Sequence, residues 1–493
     1  MIVQGLLLVS LAVIPAPEMM RLQDGFLPMT TCVEQVLDSQ LPSEGYELDV
    51  NPNGRIVIRS SDAAGAFYAR KTLDQLVDWR GYRCVKITDR PRYKWRGLLL
   101  DECRHFFGKE IVKRMLDVMS QYKFNVFHWH LTDDQGWRID VPGYPELVKY
   151  GSVRPASPRH GARIRWIDES HYTMDLNDET YGPYYYTEAD IREIVSYAAE
   201  RQIKVVPEIE LPGHLYAALA AYPQYACRSE NLSKRTVRMY WGVEEDVLCP
   251  GNDEAIKFLE SIFDYVCRVF PSDIVHIGGD ECPRVRWKTC PKCQKRIVDE
   301  GLKDERGLQT WITRHFADYL AVRGKRVLGW DEYLLGEGIP KSAMGMSWRV
   351  GQPGGMAGWL SPAEIAAKGH DLVMVPCDFC YLDYTQGLPE DPYQYINILM
   401  NEQISLRKCH SFDPCAGIPE SARSHVIGGQ GNNWSEYTWN RFDLEWKMWP
   451  RACALAEVLW SGERKPSFED FLARMVTHRR RLLSQGINCA PLE

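Results

Sequence analysis

Two adjacent carboxylates, Asp280 and Glu281, are the strongest candidates for chemistry in this sequence. They follow the apolar stretch 274–277 and a Gly-Gly pair, Gly278 and Gly279. Carboxylates at the C-terminal end of a buried strand stand where α/β barrels place their reacting groups. Glycines there let the backbone turn where a side chain would obstruct a ligand. A polar turn with two solvated acids is the alternative, and for an isolated Asp-Glu pair it would be the better interpretation.

Similar residues end other apolar stretches of the chain. They are mostly acids and aromatic residues, with one arginine and two histidines, and they include Asp101, Glu102, Arg104, His105, Asp133, Asp134, Glu208, Glu210, His214, Asp331, Glu332, Asp383 and Glu436. Acids can transfer protons, aromatic rings can cover the apolar faces of sugars, and Arg or Asp can bind hydroxyls, which together indicate a glycosidase pocket. The sequence has no glycine-rich phosphate loop and no Gly-x-Ser-x-Gly elbow, which argues against a nucleotide site and a serine hydrolase.

The elements that must position these residues alternate between strand and helix from Trp95 onward. We predict helices over 110–122, 253–270, 309–322, 444–460 and 468–483, and a helix capped by Thr187. We predict strands over 97–100, 125–130, 204–207, 274–277, 326–330, 344–348, 371–375 and 426–429. Continuous apolar strands alternating with helices are typical of a parallel sheet. Eight such units predict an α/β protein with a (β/α)₈ barrel over residues 91–493.

Residues 1–90 are predicted to form a small α/β accessory domain. Strands over 46–50 and 55–58 flank a turn, a helical pattern covers 63–76, and 85–91 is interpreted as a connector. The apolar stretch 5–13 resembles a secretory signal, although no Lys or Arg precedes it, and it is too short to span a bilayer. We expect export to the periplasm or the medium. The alternative is that 14–17 begins the mature fold.

The net charge and the lengths of the apolar stretches argue against two classes of partner, nucleic acids and membranes. The net charge of −7 argues against a nucleic-acid binder, because such proteins carry a basic face. No other apolar run approaches the length of a membrane span. We therefore expect neither a nucleic-acid partner nor a membrane span.

The 15 cysteines leave several interpretations open. Cys282, Cys290 and Cys293 follow Glu281 closely, and the pair Cys290-Pro-Lys-Cys293 has the spacing of a metal knuckle. A zinc site would need a further ligand that the local spacing does not supply. A disulfide within the cluster is about as well supported, and inert thiols are the third interpretation. Cys227 and Cys249 flank a polar loop, and we predict a disulfide between them if the protein is exported.

Taken together, the motifs resemble a β-N-acetylhexosaminidase of glycoside hydrolase family 20. The resemblance extends from about residue 46 to 460 and rests on motifs in the family's order at 96–106, 128–138, 207–214, 276–281, 329–332, 381–383 and 434–436. His-Ile-Gly-Gly-Asp-Glu is the most specific of them. The N-terminal segment resembles the small α/β domain of the family.

The resemblance implies substrate-assisted catalysis, in which the nucleophile belongs to the substrate. Glu281 would be the general acid and base, and Asp280 would bind the N–H of the 2-acetamido group. The carbonyl oxygen of that group would attack the anomeric carbon and form an oxazolinium ion, with Tyr381 holding the acetamide. The chemistry would need no cofactor and no metal.

The resemblance also assigns the residues around the sugar. Arg104 would bind the 3- and 4-hydroxyls, and Asp383 and Glu436 the region of the 4- and 6-hydroxyls. The remaining assignments are a wall formed by Trp330, Trp348 and Trp434, and a supporting pair that tunes Glu281, formed by Asp133 and His214.

The expected activity is exo-acting, retaining hydrolysis of terminal β-linked GlcNAc or GalNAc from a glycan or glycoconjugate. A relative that releases a disaccharide, such as a lacto-N-biosidase, is the enzymatic alternative, since the sequence does not give the pocket depth. A catalytically silent sugar-binding protein is the alternative from another class, and the intact Asp280, Glu281 and Tyr381 argue against it. The preferred sugar, the natural glycan and the oligomeric state stay open.

Overall fold

The computed structural model describes residues 12–160, 165–166, 172–173, 175–232, 234–349, 360–393 and 403–492. The first unit is a six-stranded sheet in the order β1-β6-β3-β4-β2, with β5 paired to β6. One helix, α1 (Ala63–Gln75), packs on β3 and β4. The strands are β1 (Met19–Leu27), β2 (Val33–Leu37), β3 (Tyr46–Asn51), β4 (Arg55–Ser60), β5 (Val77–Asp78) and β6 (Gly81–Asp89).

The second unit is a closed barrel of eight parallel strands, which confirms the predicted fold. Its order is β13-β14-β15-β16-β17-β18-β7-β8, and two short strand pairs lie in the loops after β8. In chain order the strands are β7 (Trp95–Asp101), β8 (Val126–His130), β9 (Thr132–Asp133), β10 (Gly136–Trp137), β11 (Arg165–Trp166), β12 (Tyr172–Thr173), β13 (Lys204–Glu208), β14 (Ile274–His276), β15 (Arg326–Trp330), β16 (Met344–Ser347), β17 (Leu372–Met374) and β18 (Val426–Asn433).

Helices follow the barrel strands and cover the outside of the barrel. They are α2 (Lys109–Gln121), α3 (Pro145–Tyr150), α4 (Glu188–Ala199), α5 (Tyr216–Ala221), α6 (Asp253–Val269), α7 (Val285–Thr289), α8 (Pro291–Asp299), α9 (Glu305–Ala321), α10 (Pro362–Ala367), α11 (Cys377–Cys380), α12 (Leu406–Ser411), α13 (Arg441–Met448), α14 (Arg451–Ser461) and α15 (Phe468–Ser484). Thr187 caps α4 as predicted, in a capping box with Asp190.

Several predicted elements differ from the structure, three of them as follows. The helix predicted over 444–460 is two helices, α13 and α14, because Pro450 between them has no N–H to continue the hydrogen-bond ladder. The predicted connector over 85–91 is mostly strand β6, which pairs with both β1 and β3. Helix α9 begins four residues before the prediction, where the Asp304 side chain accepts from the Gly307 N–H.

The two units share a core. Trp460 belongs to α14 of the barrel, yet it packs among the buried residues of the small sheet. Its indole Nε1 donates to Asp89 at 2.9 Å, and Asp89 also pairs with Lys123 at 3.0 Å, with both charged side chains fully buried. Arg96 of β7 pairs with Glu44 at 2.9 Å. Polar and apolar contacts therefore hold the sheet against the barrel.

The described chain is packed from its start. Val13 and Ile14 are buried, and Arg474 donates to the Val13 carbonyl at 2.9 Å. The signal-like stretch 5–13 lies almost entirely outside the described residues, so export stays a prediction. None of the helices in the described part of the chain combines the length and the apolar character needed to cross a bilayer.

All 15 cysteines lie in the described ranges as free thiols. The disulfide predicted between Cys227 and Cys249 for an exported protein is absent from the structure, where both are free thiols. The two residues do lie at the base of one loop, as predicted. Their sulfur atoms are close to those of Cys290 and Cys293 and do not form a separate pair.

Candidate active site

The turn after β14 presents Asp280 and Glu281 and needs its two glycines for space. Gly278 and Gly279 have φ values of 62° and 98°. A Cβ on Gly278 would lie 1.6 Å from a carboxylate oxygen of Glu210, and one on Gly279 would lie 2.9 Å from Tyr333 Cβ. The glycines therefore make room for Glu210 and Tyr333, which are residues of the protein. The positive φ values agree with the predicted turn, while clearance for a ligand stays a prediction.

His214 joins the two carboxylates of the turn. Its Nε2 lies 3.5 Å from Glu281 Oε2 and 3.9 Å from Asp280 Oδ2. Its Nδ1 lies 3.2 Å from Asp133 Oδ1, so the imidazole connects the supporting carboxylate to the turn. The Oδ1 atom of Asp280 is buried and has no hydrogen-bond partner among the described residues. The turn thus presents one buried carboxylate oxygen that is ready to accept from a ligand.

Burial and the charges around the turn shift the pKa values of the two acids in opposite directions. Burial disfavours a charged imidazole, but Asp133 beside it raises the pKa of His214 well above its ordinary value. Burial raises the pKa of Asp280 well above its ordinary value, and Glu332 and Glu281 add to the rise while His214 opposes it. Burial also acts to raise the pKa of Glu281, but the imidazolium lowers it below its ordinary value. The pKa values of the two neighbouring acids are therefore shifted in opposite directions, upward for Asp280 and downward for Glu281.

Arg104, in the loop after β7, is held by three buried groups. Its guanidinium lies 2.9 Å from Asp133 Oδ2 and 3.2 Å from Asp101 Oδ2, and its Nε donates to Gln135 at 2.9 Å. Glu436 is further away, at 4.0 Å. Asp133 thus binds both Arg104 and His214, which places the predicted arginine and the predicted supporting pair in one network.

Asp383 and Glu436 form a second acidic pair. Burial and the neighbouring carboxylate of Glu436 raise the pKa of Asp383 to about 7. Burial also raises the pKa of Glu436, against the opposing charge of Arg104. The Oδ1 atom of Asp383 is buried without a hydrogen-bond partner among the described residues. This pair can accept hydrogen bonds from a polar ligand.

The predicted aromatic residues form one continuous cluster. The ring centroids of Tyr381 and Trp348 are stacked 6.2 Å apart, Tyr381 lies 6.3 Å from Trp434, and Trp434 lies 5.6 Å from Trp330. Trp330 is only 1% exposed, and its Nε1 donates to Glu208 at 2.8 Å. Trp330 packs against Trp434, and the rings of Trp348 and Trp434 are partly exposed.

Two residues of the site were missed by the assignment from sequence. Glu332 accepts from the backbone N–H of Glu281 at 3.4 Å and from Trp348 Nε1 at 3.4 Å, and it pairs with Arg349. The motif after β15 contained Glu332 as a strand-end acid, so a signal for it was present. Nothing in the sequence singled out Arg349 except its place beside Trp348.

A cavity of 340 Å³ adjoins Glu281 on the side of β15. Glu332 and Gln309 line it, together with three cationic side chains, Arg284, Arg306 and Arg349. Glu281 therefore lies between Asp280 and a cavity whose charged lining is three arginines and two glutamates.

A (β/α)₈ barrel with paired acids, a buried arginine and aromatic walls at the carboxyl ends of its strands defines a glycoside hydrolase. The family model "Glycosyl hydrolase family 20, catalytic domain" matches residues 93–463, and "Glycosyl hydrolase family 20, domain 2" matches residues 30–90. The chain belongs to glycosyl hydrolase family 20.

Relatives of known name agree with this assignment. A β-hexosaminidase of Porphyromonas gingivalis is 38% identical over 485 residues, which cover 95% of this chain and 58% of the relative. One of Akkermansia muciniphila is 34% identical over 484 residues, which cover 96% of this chain and 91% of the relative. The crystal structure of an exo-β-N-acetylglucosaminidase from Vibrio harveyi superimposes with a TM-score of 0.83 at 28% identity, covering 98% of this chain and 78% of that one.

Proposed function

We propose that this protein is an exo-acting, retaining β-N-acetylhexosaminidase that removes terminal β-linked GlcNAc or GalNAc from glycans. The observation that carries the proposal is the buried, unpartnered Oδ1 atom of Asp280 beside Glu281. A buried acceptor of this kind is costly unless a ligand donates to it. The N–H of a 2-acetamido group is a donor of the required type. The names of the relatives agree with this substrate class.

The reaction uses the substrate's acetamide as nucleophile. Its carbonyl oxygen attacks the anomeric carbon while Glu281 protonates the departing glycosidic oxygen, so the bond to the aglycone breaks as the oxazolinium ring closes. Asp280 orients the acetamide through its N–H and stabilises the positive charge that develops on the ring. Water then opens the ring, with Glu281 accepting its proton. Two inversions give a β-configured product.

Substrate binding places the proton where this reaction needs it. In the free pocket burial raises the pKa of Asp280, and His214 lowers the pKa of Glu281. An acetamide N–H that donates to Asp280 favours its carboxylate form. The new charge on Asp280 then raises the proton affinity of Glu281, which becomes the acid. A sugar with a plain 2-hydroxyl lacks both the nucleophile and the amide donor that moves the proton.

The remaining groups bind the sugar ring. Arg104 binds the 3- and 4-hydroxyls, because Asp101 and Asp133 fix its guanidinium. Asp383 and Glu436 accept from the 4- and 6-hydroxyls. The exposed faces of Trp348 and Trp434 cover the acetamide and the ring, and Tyr381 donates to the acetamide oxygen. The cavity of 340 Å³ beside Glu281 accommodates the leaving group.

One set of assays tests the proposal. We expect hydrolysis of aryl β-GlcNAc or aryl β-GalNAc and no hydrolysis of aryl β-glucoside. Release of a disaccharide from aryl lacto-N-bioside, with no action on the monosaccharide substrates, would replace the exo-activity by that of a disaccharide-releasing relative. Binding of GlcNAc without turnover of any substrate would indicate a sugar-binding protein.

Proton NMR of the first product and one variant test the mechanism. The first product should be the β-anomer, and Asp280→Asn should lower kcat strongly, because an amide cannot balance the charge of the oxazolinium ion. An α-anomer would overturn the mechanism, and so would a covalent glycosyl adduct on an Asp or Glu after incubation with a 2-fluoro sugar.

A further inference from the structure

Four cysteines from distant parts of the sequence converge beside the candidate active site. Cys227 follows a short 3₁₀ turn (Pro223–Tyr225), Cys249 precedes α6, Cys290 caps α8, and Cys293 lies in the first turn of α8. Their four sulfur atoms all lie within 4.8 Å of one another. Three of the cysteines are buried and Cys227 is partly buried.

The sulfur distances match a shared ligand and not two disulfides. Cys249 Sγ lies 3.7 Å from Cys290 Sγ and 3.5 Å from Cys293 Sγ, and Cys293 Sγ lies 3.6 Å from Cys227 Sγ. A zinc ion bound tetrahedrally by four thiolates at about 2.3 Å separates its sulfurs by about 3.8 Å. A disulfide joins two sulfurs at about 2.05 Å and leaves each with one partner. Here Cys249 and Cys293 each have at least two sulfur neighbours.

We propose that Cys227, Cys249, Cys290 and Cys293 bind one Zn²⁺ ion in a closed, structural site. The Cys-x₂-Cys pair at 290–293 is one half of such a site, and the loop base at 227 and 249 supplies the other. Binding releases the four thiol protons and leaves a zinc–tetrathiolate centre with two negative charges. Cys282 lies in the same apolar cluster but outside the group of four, so it is not a ligand.

The backbone around the four sulfurs is already arranged for a compact site. A backbone bridge between Ala226 and Leu248 closes the loop base, and Trp287 Nε1 donates to the Leu248 carbonyl at 2.9 Å. A Cβ on Gly251 would lie 2.2 Å from the carbonyl carbon of Lys292, so only glycine permits this approach of the two halves. The fold thus brings the cysteines of both halves together.

The ion would connect two segments that border the sugar site. One is the loop 228–248, where the Tyr240 carbonyl accepts from Gln135 Nε2 at 3.0 Å, and Gln135 in turn accepts from Arg104. The other is the segment from Glu281 to α8. The cysteines are positioning residues in this proposal: they hold the walls of the site and touch no substrate. Loss of zinc should therefore raise KM more than it lowers kcat, and should lower the melting temperature.

Metal analysis of the full chain, purified without chelators or metal-affinity resin, tests the site. We expect about one zinc per chain, falling at least tenfold in Cys293→Ser. Cys267→Ser is the matched control, since Cys267 is a partly buried thiol on α6 outside the group of four, and it should retain zinc and activity. Four free thiols with no zinc, even after incubation with Zn²⁺ under reducing conditions, would overturn the proposal. Iron as the only bound metal would overturn it too.

Two measurements on the wild-type chain keep the test decisive if Cys293→Ser does not fold. Replacement of the ion by Co²⁺ should give the intense thiolate-to-metal charge-transfer bands and visible bands of a tetrahedral tetrathiolate complex. A spectrum typical of six-coordinate oxygen ligation would refute the assignment. Mass spectrometry of unreduced peptides should find no disulfide among the four cysteines, and two disulfides there would exclude the zinc site.

Discussion

His214→Asn should shift the pH profile of the enzyme toward higher pH. His214 has a φ of 48°, a conformation that asparagine tolerates better than most residues, so the backbone can stay as it is. The substitution removes the imidazolium that lies 3.5 Å from Glu281. It also removes the imidazolium from beside Asp133 and Asp134, although Asp133 keeps Arg104 as a counter-charge.

The size of the shift follows from the distance and the exposure. Two unit charges at this separation interact by about 5 kcal/mol at an effective dielectric constant of 20, and by about 1 kcal/mol in water. The side chain of Glu281 is 38% exposed, so solvent screening places the value toward the lower figure. About 1.4 kcal/mol corresponds to one pKa unit. A cation lowers the pKa values of the pair formed by Asp280 and Glu281, so its removal should raise both by about one unit.

The assay is kcat/KM for an aryl β-GlcNAc measured across pH in both proteins. The reactive free enzyme carries one proton on the acid pair, so the acidic and basic limbs of the profile should both move up by about one unit. His315→Asn is a control, because that histidine pairs with Glu260 away from the site and its loss should leave the profile unchanged. If folded His214→Asn gave the wild-type profile, or one displaced to lower pH, the proposed coupling between the imidazolium and the acid pair would be wrong.

Three further substitutions test the roles of Glu281, Arg104 and Asp89. Glu281→Gln should lower kcat by about a hundred- to ten-thousand-fold on an unactivated disaccharide and less on an aryl glycoside with a good leaving group, and equal losses on both would remove Glu281 from the acid role. Arg104→Ala should raise KM, because the sugar hydroxyls lose their cationic partner. It should also lower the free energy of unfolding by about 3–5 kcal/mol, because two buried carboxylates lose their cation. An unchanged KM in saturation kinetics would contradict the sugar-binding role. Asp89→Asn should cost about 3–5 kcal/mol in urea unfolding, since it leaves Lys123 buried without a carboxylate, while kcat/KM of the folded protein stays unchanged. A melt like that of the wild type would show that the buried pair at Asp89 contributes little.

The barrel was predictable from sequence because its strands are continuous apolar stretches. Most of the eight end in polar residues, and the parallel arrangement brings those ends together without further information. Strands β1 and β2 of the small sheet were missed because most of their side chains are exposed, so neither shows an apolar face. The break at Pro450 was missed because the helical pattern continues on both sides of it.

The site was predictable where the chemistry lies in a local motif. The positions of Asp280, Glu281 and His214 follow from strand ends and glycine-rich turns. The four-cysteine cluster could not be predicted, because only the pair 290–293 is local and the fold alone brings Cys227 and Cys249 to it. The opposite pKa shifts of Asp280 and Glu281 could not be predicted from sequence either, since they depend on the distances from His214 to both carboxylates.

The shared core around Trp460 has a consequence for anyone who would cut or recombine this protein. A fragment that begins at the barrel would leave that indole without its packing partners and Lys123 without Asp89. The small sheet alone would lose the largest side chain of its core. Neither unit is therefore an interchangeable module: the two should melt in one cooperative transition, and chimeras that exchange the sheet between relatives must carry matched residues of α14 with it.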